Sequence, residues 1–323
     1  MKFFKLSRVC VFLVLSMIFF SQISLSEAQT YPNKPIRIIV GPGPDILARI
    51  VAEKLSESLA VSVIVEQKPA AGGLVAGDAV AKSPPDGYTL LLSTGSFTIN
   101  SVLQPNPPYS FKRDLLPVGM LATLPFVLVV NSTSPYQSLK DVVNYAKNNP
   151  GKVNFGSSGN GTPPHLAGEM LKQMAQIEMV HIPYKTAMAG MTDVLGGQVD
   201  LMFLPAPIAL PMIRSEKLRP LVVTGNKRYM NLPSVPTAAE TGFTQFSIVG
   251  WNGLHITAKT SPKITQLLSL QLEQILKGAD FQNKAIVAGF EPTWLSSDDF
   301  AKFVNQDLEK VTQVIKASNI QLD

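Results

Sequence analysis

Residues 36–65 read IRIIVGPGPDILARIVAEKLSESLAVSVIV. The run at 36–40 predicts a strand, because Ile and Val favour extended backbone. A Gly/Pro turn follows, and then a segment at 45–59 in which apolar residues recur at helical spacing, with Asp45 placed to cap the helix. A second β-branched run at 61–65 completes a β-α-β unit. Such a unit requires a parallel sheet with helices packed on its faces.

The same alternation continues along the chain. A helix is expected at 72–81 and a strand at 88–93. Strands and helices then alternate from 126 to 224, and the segment from 262 to 317 is helical by period. The predicted fold class is therefore α/β, with two α/β units of similar size followed by helices.

Composition limits the classes of protein that the chain can represent. It has 323 residues, of which 46% are apolar and 16% charged. This length suggests two domains, and the composition excludes an intrinsically disordered protein. The net charge of +5 invites a nucleic-acid ligand, but Lys and Arg are dispersed and form no stripe interleaved with aromatic residues. No nucleic-acid partner is therefore expected.

Residues 1–28 have the pattern of a secretory signal peptide. A basic start precedes an apolar run at 9–20 that is too short to span a bilayer comfortably, and a small-x-small site ends at Ala28. Cleavage after Ala28 would leave 25 basic and 22 acidic residues, a net charge of +3. It would also remove Cys10, the only cysteine of the chain. We therefore expect an exported, soluble protein without disulfides or a reactive thiol.

Three turns that follow predicted strands, at 41–44, 93–96 and 156–162, are rich in glycine or in hydroxyl side chains. In open α/β sheets, ligands bind beyond the carboxyl ends of strands, where turn amides and helix N-termini meet. These groups suit an anion without a formal cation. Each turn alone is equally well explained as an ordinary connection, but three together favour a small-anion cleft. The candidate residues are Gly41, Gly43, Ser93, Thr94, Ser157, Ser158, Gly161 and Thr162.

No catalytic or metal-binding set can be assembled from the sequence. Neither Ser157 nor Ser158 has the flanking glycines of a nucleophile elbow, and Asp78 stands where a phosphate-binding loop needs Lys. The three histidines lack metal-ligand spacing. His165, in the first turn of a predicted helix, is equally well explained as a cleft-wall residue or as a packed one. We therefore expect no enzyme activity, no metal and no cofactor.

An exported dinucleotide-binding oxidoreductase remains a minor alternative. The first strand, the Gly41-x-Gly43 turn, the helix and a second strand ending at Glu66 imitate a dinucleotide-binding unit. Against it, Ile46 occupies the third glycine position. Two prolines in the turn also lack the N–H groups that a phosphate would need.

Seven motifs in a fixed order resemble one family of receptors. They are YPNKPIR (31–37), AGG (71–73), PPDGYTL (84–90), GSSGNGTPPHL (156–166), VHIPYK (180–185), DVLGGQVD (193–200) and VGWNGL (249–254). In this order and spacing they resemble the periplasmic solute receptors of tripartite tricarboxylate transporters, the Bug (TctC-like) family. The resemblance covers essentially the whole mature chain.

The resemblance implies a two-lobed periplasmic binding protein, type II-like and of the Venus-flytrap class, with a cleft between two α/β domains. Lobe 1 is expected at 31–125 plus 246–323 and lobe 2 at 126–245, with crossings near 124–130 and 247–254. The family scheme adds Asn160 and Tyr184 to the cleft residues. It also implies a monomer that captures a small carboxylate and closes, and a membrane permease that recognises the closed form.

Three departures from the family pattern bear on the ligand. The loop at 41–45 is about four residues shorter than the family usually has, which leaves a degenerate receptor with weakened capture as an alternative. Leu204 stands where an acid is typical, which argues against an amino-acid ligand. The loop at 185–189 is bulkier and more apolar than usual. The hypothesis is a non-aminated carboxylate with an apolar or aromatic body.

Overall fold

The computed structural model describes residues 31–41 and 45–318, and the elements below lie within them. The strands are β1 (Ile36–Val40), β2 (Val63–Gln67), β3 (Thr89–Thr94), β4 (Leu115–Asn131), β5 (Val153–Ser157), β6 (Met179–Pro183), β7 (Leu201–Pro205), β8 (Leu218–Val223), β9 (Val249–Thr257) and β10 (Glu291–Leu295). The expected signal peptide, its cleavage site at Ala28 and Gly43 lie outside the described residues.

Helices alternate with these strands and then close the chain. They are α1 (Ile46–Leu59), α2 (Leu74–Ala81), α3 (Gly95–Leu103), α4 (Phe111–Asp114), α5 (Leu139–Asn148), α6 (Pro163–Ala175), α7 (Ala187–Leu195), α8 (Ala206–Arg214), α9 (Pro262–Lys277), α10 (Ala279–Val287) and α11 (Ser297–Ser318). Short 3₁₀ turns lie at Ala71–Gly73 and Ala239–Thr241. In the described part of the chain, no helix has both the length and the apolarity needed to cross a membrane.

The strands form one mixed, curled sheet of ten within the described residues, in the order β2-β1-β3-β9-β4-β7-β5-β6, with β8 and β10 also paired to β4. Strands β1, β2 and β3 are parallel to one another, and so are β5, β6 and β7. Both groups carry helical crossovers, as the alternating pattern predicts. The mixed α/β fold expected from the sequence is confirmed.

β4 connects the two groups of parallel strands. Its residues 115–125 pair with β9, and residues 126–131 pair with β7 and β8. We call β1, β2, β3, β9, β10 and residues 115–125 the first half-sheet. The second half-sheet consists of β5 to β8 and residues 126–131.

Sequence reasoning recognised only the second part of β4 as a strand. In the first part, Pro117 and Gly119 interrupt the β pattern, and the register shifts between them. A Cβ on Gly119 would lie 2.5 Å from the Trp294 ring, so the small residue is needed for packing. Such irregular strands are recognised by their partners rather than by local propensity.

The sequence predicts this strand at 199–203, but β7 spans residues 201–205, and this shift matters for the site. All five of its residues are buried, because apolar clusters lie on both faces. Phe203 packs in one cluster with Phe155, while Met202 and Leu204 pack in the other. Strand β7 therefore extends to Pro205, where α8 begins.

The sequence predicts that the Asp45 side chain caps α1, and this prediction is wrong. Asp45 occupies the N-cap position, but its side chain makes no capping hydrogen bond. Its Oδ2 instead accepts hydrogen bonds from Arg49 Nη2 at 2.6 Å and from Gln67 Nε2 at 2.7 Å. The carboxylate thus connects the start of α1 to the end of β2.

Candidate ligand-binding cleft

The carboxyl ends of β3, β5 and β7 surround a cavity of about 40 Å³, which we call the inner cavity. Helices α3, α6 and α8 begin at its wall, the arrangement in which α/β proteins bind ligands. Its polar side chains are Thr94, Ser96, Ser158 and Asn252. Its apolar side chains are Leu124, Phe126, Pro163, Pro164, Pro205 and Trp251. The described lining residues are all uncharged, so hydroxyls, amides and apolar surface dominate it.

A second cavity of about 660 Å³, the outer cavity, shares Ser158 with the inner one. One wall comes from Pro69, Ala70, Gly72, Asn100 and Gln104. The other consists of Ser158, Gly159, Asn160, Pro183, Tyr184 and Lys185. Lys185 supplies a formal cation here, which sequence reasoning did not anticipate.

At the end of β3, the two hydroxyl side chains lie in different environments. Ser93 is fully buried; its Oγ donates to Gly253 O at 3.0 Å or pairs with His255 Nδ1 at 2.7 Å. Thr94 faces the inner cavity, and its Oγ1 accepts a hydrogen bond from Ser96 N. Because side chains alternate along a strand, adjacent residues point to opposite sides. Ser93 therefore supports the cavity wall from behind, and Thr94 faces the cavity.

β5 ends with the same division. Ser157 is fully buried; its Oγ lies 2.7 Å from His181 Nε2 and accepts a hydrogen bond from Gly159 N at 3.1 Å. The next residue, Ser158, lines both cavities. Because the Ser157 side chain is fully buried, a substrate cannot reach this hydroxyl as it would a nucleophile.

Thr162 and His165 lie behind the cleft wall. Thr162 is 1% exposed, and its hydroxyl donates to Gly159 O at 2.6 Å. His165 is 4% exposed and stacks on His181 with ring centroids 4.2 Å apart. His165 Nδ1 accepts a hydrogen bond from Gly161 N at 3.3 Å. Both side chains therefore shape the loop at 156–162, and the packed role of the two left open for His165 is the one observed.

Leu204, one of the expected ligand-binding residues, lies in the core of the structure. Its side chain is fully buried and packs in the apolar cluster around Val127. Since β7 is covered on both faces, position 204 belongs to the core, and the neighbouring Pro205 lines the inner cavity instead. Gly41 is also buried, where an added Cβ would lie 3.3 Å from Gly73 Cα and 3.5 Å from the Phe97 ring.

Tyr184 lies in the wall of the outer cavity. Its hydroxyl donates to Asp193 Oδ2 at 2.5 Å. Burial, together with this bond to an acid, raises the pKa of Tyr184 to about 12. The phenol is therefore neutral at physiological pH and is oriented by Asp193.

The helices around the inner cavity differ in the amides that they offer. The first amides of a helix have no carbonyl partner within it. In α3, Gly95 provides an N–H group, whereas the N–H group of Ser96 donates to Thr94 Oγ1. By contrast, Pro163 and Pro164 open α6, and α8 follows Pro205 and contains Pro207 in its first turn. Because proline has no N–H, the amide donors come mainly from α3.

Sequence reasoning also missed the support of Trp251. Its Nε1 donates to Asp307 Oδ2 at 3.0 Å, and the same oxygen accepts from the Thr98 hydroxyl at 2.6 Å. Burial raises the pKa of Asp307, and the two hydrogen bonds partly oppose this shift. The VGWNGL motif at 249–254 was the available signal, but nothing in it identifies the acid on α11.

Comparison with known proteins identifies the family. The model of the tripartite tricarboxylate transporter family receptor, TctC, matches residues 47–320. The chain belongs to this family. It is 34% identical to protein BugT of Bordetella pertussis, over 92% of this chain and 93% of that protein. It is also similar to the solved periplasmic binding protein BugD, with a TM-score of 0.86 and 29% identity, over 91% of this chain and 100% of that one.

A further solved structure, R. palustris Rpa4515 with adipate, has a TM-score of 0.86 and 28% identity, over 91% of this chain and 100% of the other. TctC proteins are periplasmic solute-binding receptors rather than enzymes. The family recognised from the seven motifs is thus confirmed. The oxidoreductase alternative finds no support at Glu66, whose carboxylate lies 2.8 Å from Lys68 and 3.4 Å from Arg37 in surface ion pairs.

Proposed function

We propose that this receptor captures a small, non-aminated carboxylate with an apolar or aromatic body and presents it to the permease of a tripartite tricarboxylate-type transporter. The observation that carries the proposal is the inner cavity. It combines hydroxyl and amide donors with apolar walls at the carboxyl ends of three strands. This lining, continued past Ser158 into the larger outer cavity, matches an anionic head and an uncharged body.

The carboxylate head is assigned to the side of the cavity formed by α3. The positive end of the helix dipole and the first-turn amides favour a negative charge there. Thr94, Ser96 and Ser158 add hydroxyl groups that can donate to its oxygens. The described lining holds no acid to pair with an ammonium group, which disfavours an amino acid.

The ligand body is assigned to the apolar wall, where Phe126, Pro205 and Trp251 lie. A second anionic group on a longer ligand would extend past Ser158 into the outer cavity, towards Lys185. The similar R. palustris protein was solved with adipate, a chain with a carboxylate at each end. An aliphatic dicarboxylate is therefore a good first probe.

The two half-sheets are proposed to act as the two lobes, residues 31–125 with 246–323 and residues 126–245. β4 would then be one of the strands that cross between them. We further propose that the receptor is exported by a signal peptide cleaved near Ala28 and acts as a monomer. Closure of the lobes on the ligand would create the surface that the permease recognises.

Ligand screening tests this function. Isothermal calorimetry and thermal-shift assays should show binding of adipate or benzoate and weaker binding of aspartate and glutamate. A receptor that prefers aspartate or glutamate would contradict the assignment of a non-aminated ligand. If no carboxylate raises the melting temperature, the degenerate-receptor alternative is favoured, since the short loop at 41–45 would have abolished capture.

A further inference from the structure

We propose that Asn100 is a positioning residue for ligand capture, because its side-chain amide joins a turn of the first half-sheet to the ligand loop of the second. We define the ligand loop as residues 156–162. The turn is the 3₁₀ turn Ala71–Gly73. This inference rests on the proposed function, since it concerns how the cleft is held closed around a carboxylate.

The hydrogen bonds of Asn100 carry the proposal. Nδ2 lies 3.1 Å from Gly72 O, 2.8 Å from Ser96 O and 3.0 Å from Gly161 O. The bond to Ser96 anchors the amide to its own helix α3, and the other two reach across to the turn and to the ligand loop. An amide nitrogen has two hydrogens, so the three carbonyls share them. The three acceptors also determine the orientation, because Oδ1 in that position would repel them.

Burial strengthens this connection. Asn100 is 2% exposed, so water competes little for its hydrogen bonds. The cost of losing them is correspondingly large, because three carbonyl groups would be left without this donor. Asn100 thus differs from an exposed surface amide, whose removal usually changes little.

Two glycines allow the turns to approach each other. Gly72 and Gly161 have φ angles of +60° and +70°, which other residues adopt with strain. A Cβ on Gly72 would lie 2.6 Å from Asn100 Nδ2 and 2.9 Å from Asn160 O. On Gly161 it would lie 2.5 Å from Asn100 Oδ1. The backbones therefore meet at Asn100 as closely as their atoms permit.

The geometry of the ligand loop depends on this contact. The N–H group of Gly161 donates to His165 and its carbonyl accepts from Asn100, so partners hold it on both sides. Ser158 and Asn160, which line the cavities, lie one to three residues away. Any movement that separates the two half-sheets at this point must break the Asn100–Gly161 bond. Asn100 therefore couples cleft closure to the position of the loop.

The test replaces the amide and measures binding and shape. Asn100→Ala should weaken adipate binding about tenfold, an effect of the size expected when the hydrogen bonds of one buried side chain are lost. The loss should appear mainly as faster dissociation in stopped-flow fluorescence. The ligand-free variant should also show a larger radius of gyration by small-angle X-ray scattering. Asn100→Asp should weaken binding further, because a carboxylate of the same shape would repel the three carbonyl oxygens.

Asn131 offers a matched control. Its Nδ2 also donates to two backbone carbonyls, those of Val194 at 3.3 Å and Leu195 at 2.8 Å, but all three residues belong to the second half-sheet and its helices. Asn131→Ala should lower the melting temperature and leave adipate affinity and the radius of gyration unchanged. Equal effects of both alanine variants on all three readouts would reduce Asn100 to a merely structural amide and overturn the proposal.

A double-mutant cycle distinguishes the loss of the contact between Asn100 and Gly72 from a general loss of structure. Gly72→Ala should impair adipate binding less in the Asn100→Ala background than in the wild type, because the clash with the side chain is gone. Strict additivity would contradict the proposed contact. If the wild type binds no carboxylate of the panel, the proposed function fails. X-ray scattering of the ligand-free proteins then tests the role of Asn100. Equal radii of gyration for the wild type and Asn100→Ala overturn the proposal, and a larger radius for the variant supports it.

Discussion

Strands β3 and β5 end alike, although they lie in different half-sheets. Each carries a fully buried serine, Ser93 or Ser157, whose Oγ lies 2.7 Å from a histidine nitrogen. In each case the following residue, Thr94 or Ser158, lines the inner cavity. The two strand ends therefore use paired hydroxyl residues in the same way, one to support the turn and one to face the inner cavity.

The helices that follow these strands differ. α3 begins with Gly95 and Ser96, whereas α6 begins with Pro163 and Pro164. The first start offers the Gly95 N–H group to the cavity, and the second offers an apolar surface without donors. The cleft therefore has one side with an amide donor and one apolar side.

The largest predicted effect is a loss of folding stability in acid, caused by His255, which contacts Ser93 near the end of β3. Burial lowers the pKa of His255 from 6.5 to about 3. Between these values the unfolded chain binds a proton that the folded chain does not, so stability is lost as the pH falls through this range. The loss is on the order of 4 kcal/mol. Urea unfolding at several pH values should show it, and His255→Phe should flatten the profile.

Phenylalanine suits position 255, because the imidazole already packs against Phe111 and Phe300. The variant also leaves Ser93 its bond to Gly253 O. If the variant and the wild type lose the same free energy of unfolding between pH 6.5 and pH 4, His255 is not the group responsible. The acid sensitivity would then originate elsewhere in the chain.

Gly95→Pro would give α3 the start that α6 has. Proline is tolerated at the first position of a helix, and the extended backbone of Thr94 suits a residue before proline. Loss of the N–H should weaken carboxylate binding by about 2 kcal/mol, or roughly thirtyfold in calorimetry. Gly95→Ala keeps the N–H and adds a Cβ at ordinary contact distance, 3.4 Å from Pro163, so it controls for bulk.

Equal weakening by Gly95→Pro and Gly95→Ala would show that bulk, and not the amide, decides affinity. The reverse exchange, Pro163→Ala, supplies an additional donor on the α6 side. It should leave carboxylate affinity within about twofold if the head group lies against α3. A large gain in affinity would move the head group to α6.

Substitutions of Ser157 and Ser158, at the end of β5, should have smaller effects than the acid-induced loss at His255. The two variants should change different measurements. Ser158→Ala should weaken carboxylate binding by about 1–2 kcal/mol without changing the free energy of unfolding. Ser157→Ala should instead lower the free energy of unfolding by about 1–3 kcal/mol, because Gly159 N and His181 lose a buried partner. If the two variants exchange these effects, the assignment of the exposed and the buried hydroxyl is wrong.

Much of the fold was predictable because its signals are local. The sequence predicts helices at 139–148 and 262–277, and α5 and α9 have these bounds. Their apolar residues recur at helical spacing, and a serine or a proline marks the start. The first part of β4 was missed, because Pro117 and Gly119 disguise a strand that β9 and β10 stabilise from both sides. Non-local pairing leaves little trace in local composition.

By itself, the sequence determined the alternating α/β architecture, the family and the loops that meet at the cleft. These follow from periodicity and from motifs that are contiguous in the chain. Only the tertiary structure decided which side chains face the cavities. It placed Ser93, Ser157, Thr162, His165 and Leu204 behind the wall, and it brought Asn100 against Gly161 and Asp307 against Trp251. The physical reason is that side-chain direction and long-range approach depend on packing between segments far apart in sequence.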